Sequence, residues 1–413
     1  MISLCERVWK LLFPLLASGA RPSHHGIMQF TNARIILPDR IELGSLTVAD
    51  GKIKTVGRRA AMPGRGDRLN LNGGYLAPGF VDLHIHGAVG RDTMEGTVDA
   101  FRAITEFHLR GGTTSLTLTT LTAAKLDILR ALEAARSVLN QSLGGSRIVG
   151  VHVEGPFIAK SKAGAQDPQF IRDPKPAEWR DILRFGKLIT EMTIAPERPG
   201  ALALIRALRK NGSIASGGHT DAAEEQLRPA LAAGMNQATH TFNAMSTITK
   251  TGPYRHAGMI EFALAEDDIV CELIADGVHV PPTLMKMLFR AKGYDRVCLI
   301  TDATAGAGLK PGTTFKLLSI IARVTPETAV MEDGTGLAGS TLTMIEAVRR
   351  VVQLAGVPLA DAVRMASLVP ARQLGRSSEF GSLERGKRAD LVWFDNDFQV
   401  RGVWIDGDVR FLA

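Results

Sequence analysis

What most limits the fold open to this chain is an alternation. Between Leu76 and Ala303 lie eight short apolar segments: Leu76 to His86, Thr114 to Leu121, Ile148 to Glu154, Leu188 to Ala195, Ser213 to His219, Gln237 to Phe242, Ile269 to Val280 and Arg296 to Ala303. Stretches with helical spacing separate them, among them Val98 to Arg110, Ala123 to Leu139, Ala177 to Phe185, Ala201 to Lys210, Ala222 to Ala233 and Pro282 to Ala291. Near-continuous apolar runs suit strands buried on both faces, and a helix between them supplies the crossover that parallel neighbours need. Eight repeats predict a (β/α)8 TIM barrel over residues 78–379, and no GxGxxG or phosphate-binding loop argues for an open doubly wound sheet.

The flanks have another texture. Gln29 to Ile36, Ile41 to Val48 and Lys52 to Val56 alternate around the turn Asp50-Gly51, and Gly386 to Phe394, Phe398 to Ile405 and Val409 to Phe411 do so around Asp406-Gly407. Neither end can bury a core alone, so one small β-sandwich built from residues 28–77 and 380–413 is expected. Residues 1–27 imitate an export signal, with Arg7 and Lys10 ahead of Leu11 to Leu16, but the apolar run is short and broken by Pro14. Because Met28 opens a sensible domain, a non-native start is the favoured reading of that segment over a targeting signal.

No later stretch has the roughly 18 uninterrupted apolar residues of a membrane span. The net charge of +7 is spread without a basic run or interleaved aromatics, so neither a membrane nor nucleic acid is an expected partner. Cys5, Cys271 and Cys298 are too widely spaced for a disulfide framework or a zinc cluster, which points to a reducing, cytoplasmic setting.

Barrel enzymes carry their chemistry at the C-terminal strand ends. His84 and His86, two apart on a strand, share one face, while Val81, Leu83 and Ile85 share the other. Alone, the pair is equally well read as two histidines on a half-exposed strand. The other strand ends add Glu154, His219, His240, Asp276 with His279, and Asp302. A random scatter of 10 histidines and 42 acidic residues would rarely place a His, Glu or Asp at six of eight strand ends. Neutral imidazoles and carboxylates are the usual ligands of zinc or iron, and a catalytic ion keeps a position open for water, whose pKa it lowers. Asp302 is placed to take the proton of that water and pass it to a leaving amine, or to serve as a further ligand. The alternative reading of Asp276 and Asp302 is that they cap the loops that follow them.

The motifs PGFVDLHIHG, HVEGPF, GGHTDA, HTFNAM, DGVHV, ITDA and LAGSTLTM, in that order over residues 78–344, resemble those of the N-acetylglucosamine-6-phosphate deacetylases of the amidohydrolase superfamily. The resemblance implies hydrolysis of N-acetyl-D-glucosamine 6-phosphate to D-glucosamine 6-phosphate and acetate by a homodimer carrying one or two divalent ions, zinc or iron, per subunit. It implies Glu154, His219 and His240 as ligands of the principal ion, with His84 and His86 holding a second and Glu154 bridging. It makes Asp302 the catalytic acid and base, with His279 beside the reacting acetamide. Substrate contacts fall on Ala165, Asn243, Ala244, Arg255, Asp276, His279, Leu337, Ala338 and Gly339, with Arg255 matching a phosphate-binding arginine.

The chain departs from that pattern at Gln166, where histidine is common, and at His256-Ala257, where a Glu-Pro pair is common; an insertion, Ser246 to Tyr254, also precedes Arg255. These changes lie toward the sugar-phosphate end, so another N-acetylated amino sugar, galactosamine 6-phosphate or an unphosphorylated one, is the alternative substrate. A cyclic-amide hydrolase would need a modified lysine at the end of the fourth strand, which here reads Thr193-Ile194-Ala195-Pro196-Glu197. An inert scaffold of the same fold would be expected to have lost ligands, and none is missing.

Overall fold

The computed structural model describes residues 26–58, 66–139 and 141–413. The expectation of a non-native start over residues 1–27 therefore falls, apart from its last two residues, outside the described residues.

The chain enters through β1 (Met28–Ile36), β2 (Ile41–Ala49), β3 (Lys52–Gly57), β4 (Asp67–Asn70) and β5 (Tyr75–Pro78). It then changes sheet within one residue. Gly79 donates its N–H to Asp390 O at 2.8 Å, and a Cβ there would stand 2.3 Å from Thr114, so only glycine fits the crossing. The predicted strand Leu76 to His86 is thus two strands in two sheets.

The second sheet is the barrel: β6 (Phe80–Ile85), β7 (Thr113–Thr120), β8 (Arg147–Glu154), β9 (Ile189–Ile194), β10 (Ile214–Gly217), β11 (Gln237–Ala238), then, after the exposed hairpin β12 (Thr249–Thr251) and β13 (Tyr254–His256), β14 (Val270–Ile274) and β15 (Val297–Ile300). The eight barrel strands are parallel and in sequence order. The ring closes where Asp302 N–H reaches His84 O at 2.9 Å and His86 N–H reaches Ala303 O at 2.8 Å. All eight predicted segments are present. The sixth is cut to two residues because His240 and Phe242 adopt φ of 31° and 81°, which no strand ladder accommodates.

The helices over Val98–Arg110, Lys125–Val138, Pro176–Leu183, Ala201–Asn211, Glu224–Ala233 and Pro282–Lys292 lie where apolar spacing placed them. Each turns a stripe such as Phe101, Ile104 and Leu109 onto the barrel. Each such side chain contributes about 1.5–3 kcal/mol on burial.

Beyond the barrel strands come a three-stranded sheet, β16 (Thr314–Leu317), β17 (Ile320–Val324) and β18 (Ala329–Met331), and helices over Met344–Ala355, Leu359–Ala366 and Leu368–Gln373. Neither the three-stranded sheet nor the β12–β13 hairpin is anticipated by the sequence reading.

Finally β19 (Leu391–Phe394), β20 (Val400–Ile405) and β21 (Asp408–Leu412) return to the first sheet, in the order β21-β20-β19-β5-β1-β2-β3 with β4 on β1. Phe30 on β1 and Trp404 on β20 are three places apart in that ladder, yet their rings meet edge to face at 4.8 Å, so the sheet curls around its own core. Hydrogen bonds from Ile53 N–H to Lys387 O and from Ala389 N–H to Gly51 O, each 2.9 Å, tie the far edge back. Both termini are needed to complete this sheet, as expected from their shortness. Arg147, at the start of β8, pairs with Asp390 and Asp406 at 2.8 Å each and pins it to the barrel.

Candidate metal centre and active-site cleft

The barrel closure that joins β15 to β6 also carries Asp302 up to His84 and His86. Asp302 Oδ1 stands 3.4 Å from His84 Nε2 and 3.3 Å from His86 Nε2. Glu154, at the end of β8, lies between this group and a second one. Its Oε1 is 3.3 Å from His219 Nε2, 3.1 Å from His240 Nε2 and 3.5 Å from His84 Nε2, while its Oε2 is 3.1 Å from His86 Nε2. Two donor sets result, His84/His86/Asp302 and Glu154/His219/His240, and every member is buried. His219, His240 and Asp302 hold φ of 47°, 31° and 49°. Backbone in this region costs of order 1–3 kcal/mol per residue and gathers where function requires it. Gly155 permits the turn just past Glu154, since a Cβ there would lie 2.1 Å from Thr122 Oγ1.

Donor chemistry tests whether these residues suit a cation. The four Nε2 atoms and three carboxylate oxygens approach one another to 3.1–3.5 Å. Neutral imidazoles so placed turn lone pairs on each other and on anionic oxygens, a repulsive arrangement unless positive charge lies between. His219 donates from Nδ1 to Lys162 O at 2.7 Å, which leaves its Nε2 as the ligand atom. A nitrogen and oxygen donor set of this kind suits zinc or iron.

The electrostatics of the site make the same demand for positive charge. Burial disfavours the imidazolium of His86, yet hydrogen bonds to Asp302 and Glu154 and their charges prevail and push its pKa up to about 9. His84 is likewise driven well above its usual value, burial opposing and Glu154 and Asp302 prevailing. Burial works to raise Glu154 and Asp302, but the charge on His84, aided by hydrogen bonds from the neighbouring histidines, holds both below the usual carboxylate range. In the metal-free protein protons fill the place a cation would take.

A consequence is measurable. A histidine whose folded pKa is raised from 6.5 to about 9 carries a proton at pH 7 that a metal must displace. Metal binding at pH 7 is expected to release about one proton or more per chain, and affinity to fall as pH falls. Conversely, the stability His86 gives the metal-free fold is complete below 6.5 and is lost as pH rises through about 9. Calorimetric titration in buffers of differing ionisation enthalpy reads the proton count directly, and a count of zero would contradict the protonated pair.

Both sets open into a cleft of about 410 Å³. Of the residues implied as substrate contacts, Ala165, Asn243, Ala244, His279, Leu337 and Gly339 line it. Ala338 is fully buried behind its neighbours. Asp276 is also withdrawn: its carboxylate accepts from His279 Nδ1 at 2.6 Å and from the Val278 and His279 N–H groups at 2.8 Å, so it orients His279 and does not face the cleft. Arg255 is not brought to the cleft. It sits exposed on β13, its guanidinium 3.5 Å from Pro253 O. Among the described residues lining the cleft there is no Arg or Lys.

Gln166, noted in the sequence only as a departure, proves central. Its Nε2 donates to Glu154 Oε2 at 2.6 Å while its Oε1 accepts from Thr122 N–H at 2.7 Å. Glu191, Gln237 and Glu272, in the barrel beneath the site, went unremarked in the sequence, although a carboxylate within the apolar runs Ile189–Ile194 and Val270–Ile274 is a signal in itself. A larger groove of about 630 Å³ opens near the opposite ends of β8 and β9, by Arg147 and Lys187, and holds neither ligand set.

An eight-stranded parallel barrel with two histidine and carboxylate sets converging at its C-terminal rim is the architecture of a metal-assisted hydrolase. The pattern of the Amidohydrolase family matches residues 75–410. An N-acetylglucosamine-6-phosphate deacetylase of Bacillus subtilis is 37% identical over 381 residues, covering 90% of this chain and 94% of the relative. An N-acetylgalactosamine-6-phosphate deacetylase of Escherichia coli O157:H7 is 34% identical, covering 81% and 87%. The crystal structure of an N-acetylglucosamine-6-phosphate deacetylase from Pasteurella multocida superposes with a TM-score of 0.87 at 31% identity, over 94% of this chain and 100% of that one. The chain belongs to the amidohydrolase family, and it is a hydrolase. Among the described residues no helix is long and apolar enough to cross a membrane.

Proposed function

We propose that the protein removes the acetyl group from N-acetyl-D-glucosamine 6-phosphate, giving D-glucosamine 6-phosphate and acetate. The observation that carries this reading is the placement of Glu154 between two ligand sets at a cleft whose wall also presents Asp302 and His279. Relatives that match most of the chain bear the corresponding activity in their names.

Glu154, His219 and His240 would hold one divalent ion, zinc or iron, and His84 and His86, with Asp302 beside them, a second. Such an ion supplies acidified water and polarisation of the acetamide carbonyl. Asp302, held as the carboxylate, accepts the proton of the attacking water and returns it to the nitrogen as the carbon–nitrogen bond breaks, so acetate and a free amine leave. His279, clamped at Nδ1 by Asp276, turns its other edge to the cleft, beside the acetamide oxygen on which negative charge develops. Ala165, Asn243, Ala244, Leu337 and Gly339 shape the cleft around the sugar, with Ala338 behind them. Residues 28–77 with 380–413, and 78–379, are read as the two domains of a cytoplasmic homodimer.

The absence of Arg and Lys from the described lining favours a second reading, a neutral N-acetylhexosamine. Under the first reading Arg255, whose fork can grip phosphate with two parallel hydrogen bonds, must meet the 6-phosphate from outside that lining. Acetate release across N-acetylhexosamines with and without the 6-phosphate separates the two. The expected preference for the phosphorylated gluco sugar is at least about 10²-fold in kcat/KM, the scale of a desolvated charged contact, and Arg255→Ala should erase most of it. Equal rates on both would leave only the deacetylase chemistry standing.

A further inference from the structure

Barrels of this type are ordinarily filled by bulky apolar side chains. Here the layer beneath the ligand sets is polar. On β14, Glu272 is fully buried among Val270, Cys271, Leu273 and Ile274, a placement that demands partners. It has them on both oxygens. Oε2 lies 3.2 Å from His84 Nδ1 and accepts the backbone N–H of His240 at 3.0 Å; Oε1 accepts Gln237 Nε2 at 3.0 Å. The same Gln237 amide donates to Glu191 Oε1 at 2.7 Å.

One carboxylate oxygen therefore touches a member of each ligand set. His84 belongs to the group with His86 and Asp302, and His240 to the group with Glu154 and His219. The Glu272 contact takes the proton of His84 on Nδ1, so Nε2, which faces Asp302 and Glu154, is the atom left to ligate an ion. It also braces the peptide of His240, which is held at φ 31°. Partners that fix a ligating histidine in this way typically carry a 10- to 100-fold effect on metal affinity.

We propose that Glu272 is a positioning residue for metal binding, one buried carboxylate that sets the ligand face of His84 and braces the backbone of His240. This rests on the reading that the two sets hold divalent ions. It adds a residue that touches neither ion nor substrate and that joins the two sets from beneath.

The test is titration of metal-free protein with Zn²⁺ against a chromophoric chelator, together with the metal content of the loaded protein, for wild type, Glu272→Gln and Glu272→Asp. Glutamine keeps the shape and one acceptor, and Gln237 Oε1, which has no partner among the described residues, can turn to accept the new amide N–H. Aspartate keeps the charge but withdraws the oxygens by one methylene, and provides the reading if the glutamine variant does not fold. In both variants the apparent dissociation constant at the His84/His86/Asp302 set is expected to rise about 10- to 100-fold, with a smaller loss at Glu154/His219/His240. A wild type that binds two ions beside variants with unchanged constants would overturn the positioning role. A wild type that binds no ion would instead overturn the metal reading beneath it.

Discussion

The Asp302→Asn protein is expected to keep an ion at Glu154, His219 and His240 and yet turn over about 10² to 10⁴ times more slowly than wild type, the usual cost of losing a general acid and base. An amide is isosteric with the carboxylate but cannot take a proton from water or return one to the leaving nitrogen. At about 1.36 kcal/mol per tenfold, the loss corresponds to about 3 to 5 kcal/mol of transition-state stabilisation. Asp302 Oδ1 also lies within 3.4 Å of His84 and 3.3 Å of His86, so weaker metal binding is expected at that set; measuring metal content beside kcat separates the two effects. Wild-type turnover by the variant would remove Asp302 from the mechanism.

A larger loss is expected from Glu154→Ala. Glu154 approaches the Nε2 atoms of all four histidines of the two sets, at 3.1–3.5 Å, whereas Glu272 reaches the sets only from beneath, at His84 Nδ1 and the His240 backbone N–H. Alanine removes a ligand from one set and the shared anion from the other, and it strips Gln166 of its acceptor. Buried charge left without its partner typically costs 3–5 kcal/mol, so the metal-free variant should also unfold more readily in denaturant than metal-free wild type. The expected result is less than one ion per chain by elemental analysis and a fall in kcat/KM of at least about 10⁴, or about 5 kcal/mol. Two retained ions with activity near wild type would show that the histidines and Asp302 suffice without the carboxylate between them.

Much of this site is legible without coordinates because the signals are local. A strand's period of two puts His84 and His86 on one face whatever surrounds them, and the barrel rule sends Glu154, His219, His240, His279 and Asp302 to one rim. Eight apolar runs with intervening helical stripes were enough for the barrel, and the short alternating ends for a sheet shared between the termini. The substrate contacts were less legible. Asp276 and His279 are three residues apart, and nothing local says that the first spends its carboxylate on the second. Arg255 stands on a hairpin whose direction no periodicity fixes.

Sequence by itself thus determined which side chains reach the rim, since each strand's alternation decides that within a few residues. Only tertiary structure decided how far apart they stand. The closure of β15 onto β6 sets Asp302 against His84 and His86, and the position of β8 in the ring sets Glu154 between the two groups. Glu272 shows the division most plainly: in the sequence it is one acidic residue in an apolar run, and its partners His84, Gln237 and the His240 peptide come from two other segments, the first and sixth of the barrel. A buried charge is tolerable only where distant segments deliver its hydrogen bonds, and that delivery is a property of the closed barrel, not of any strand in it.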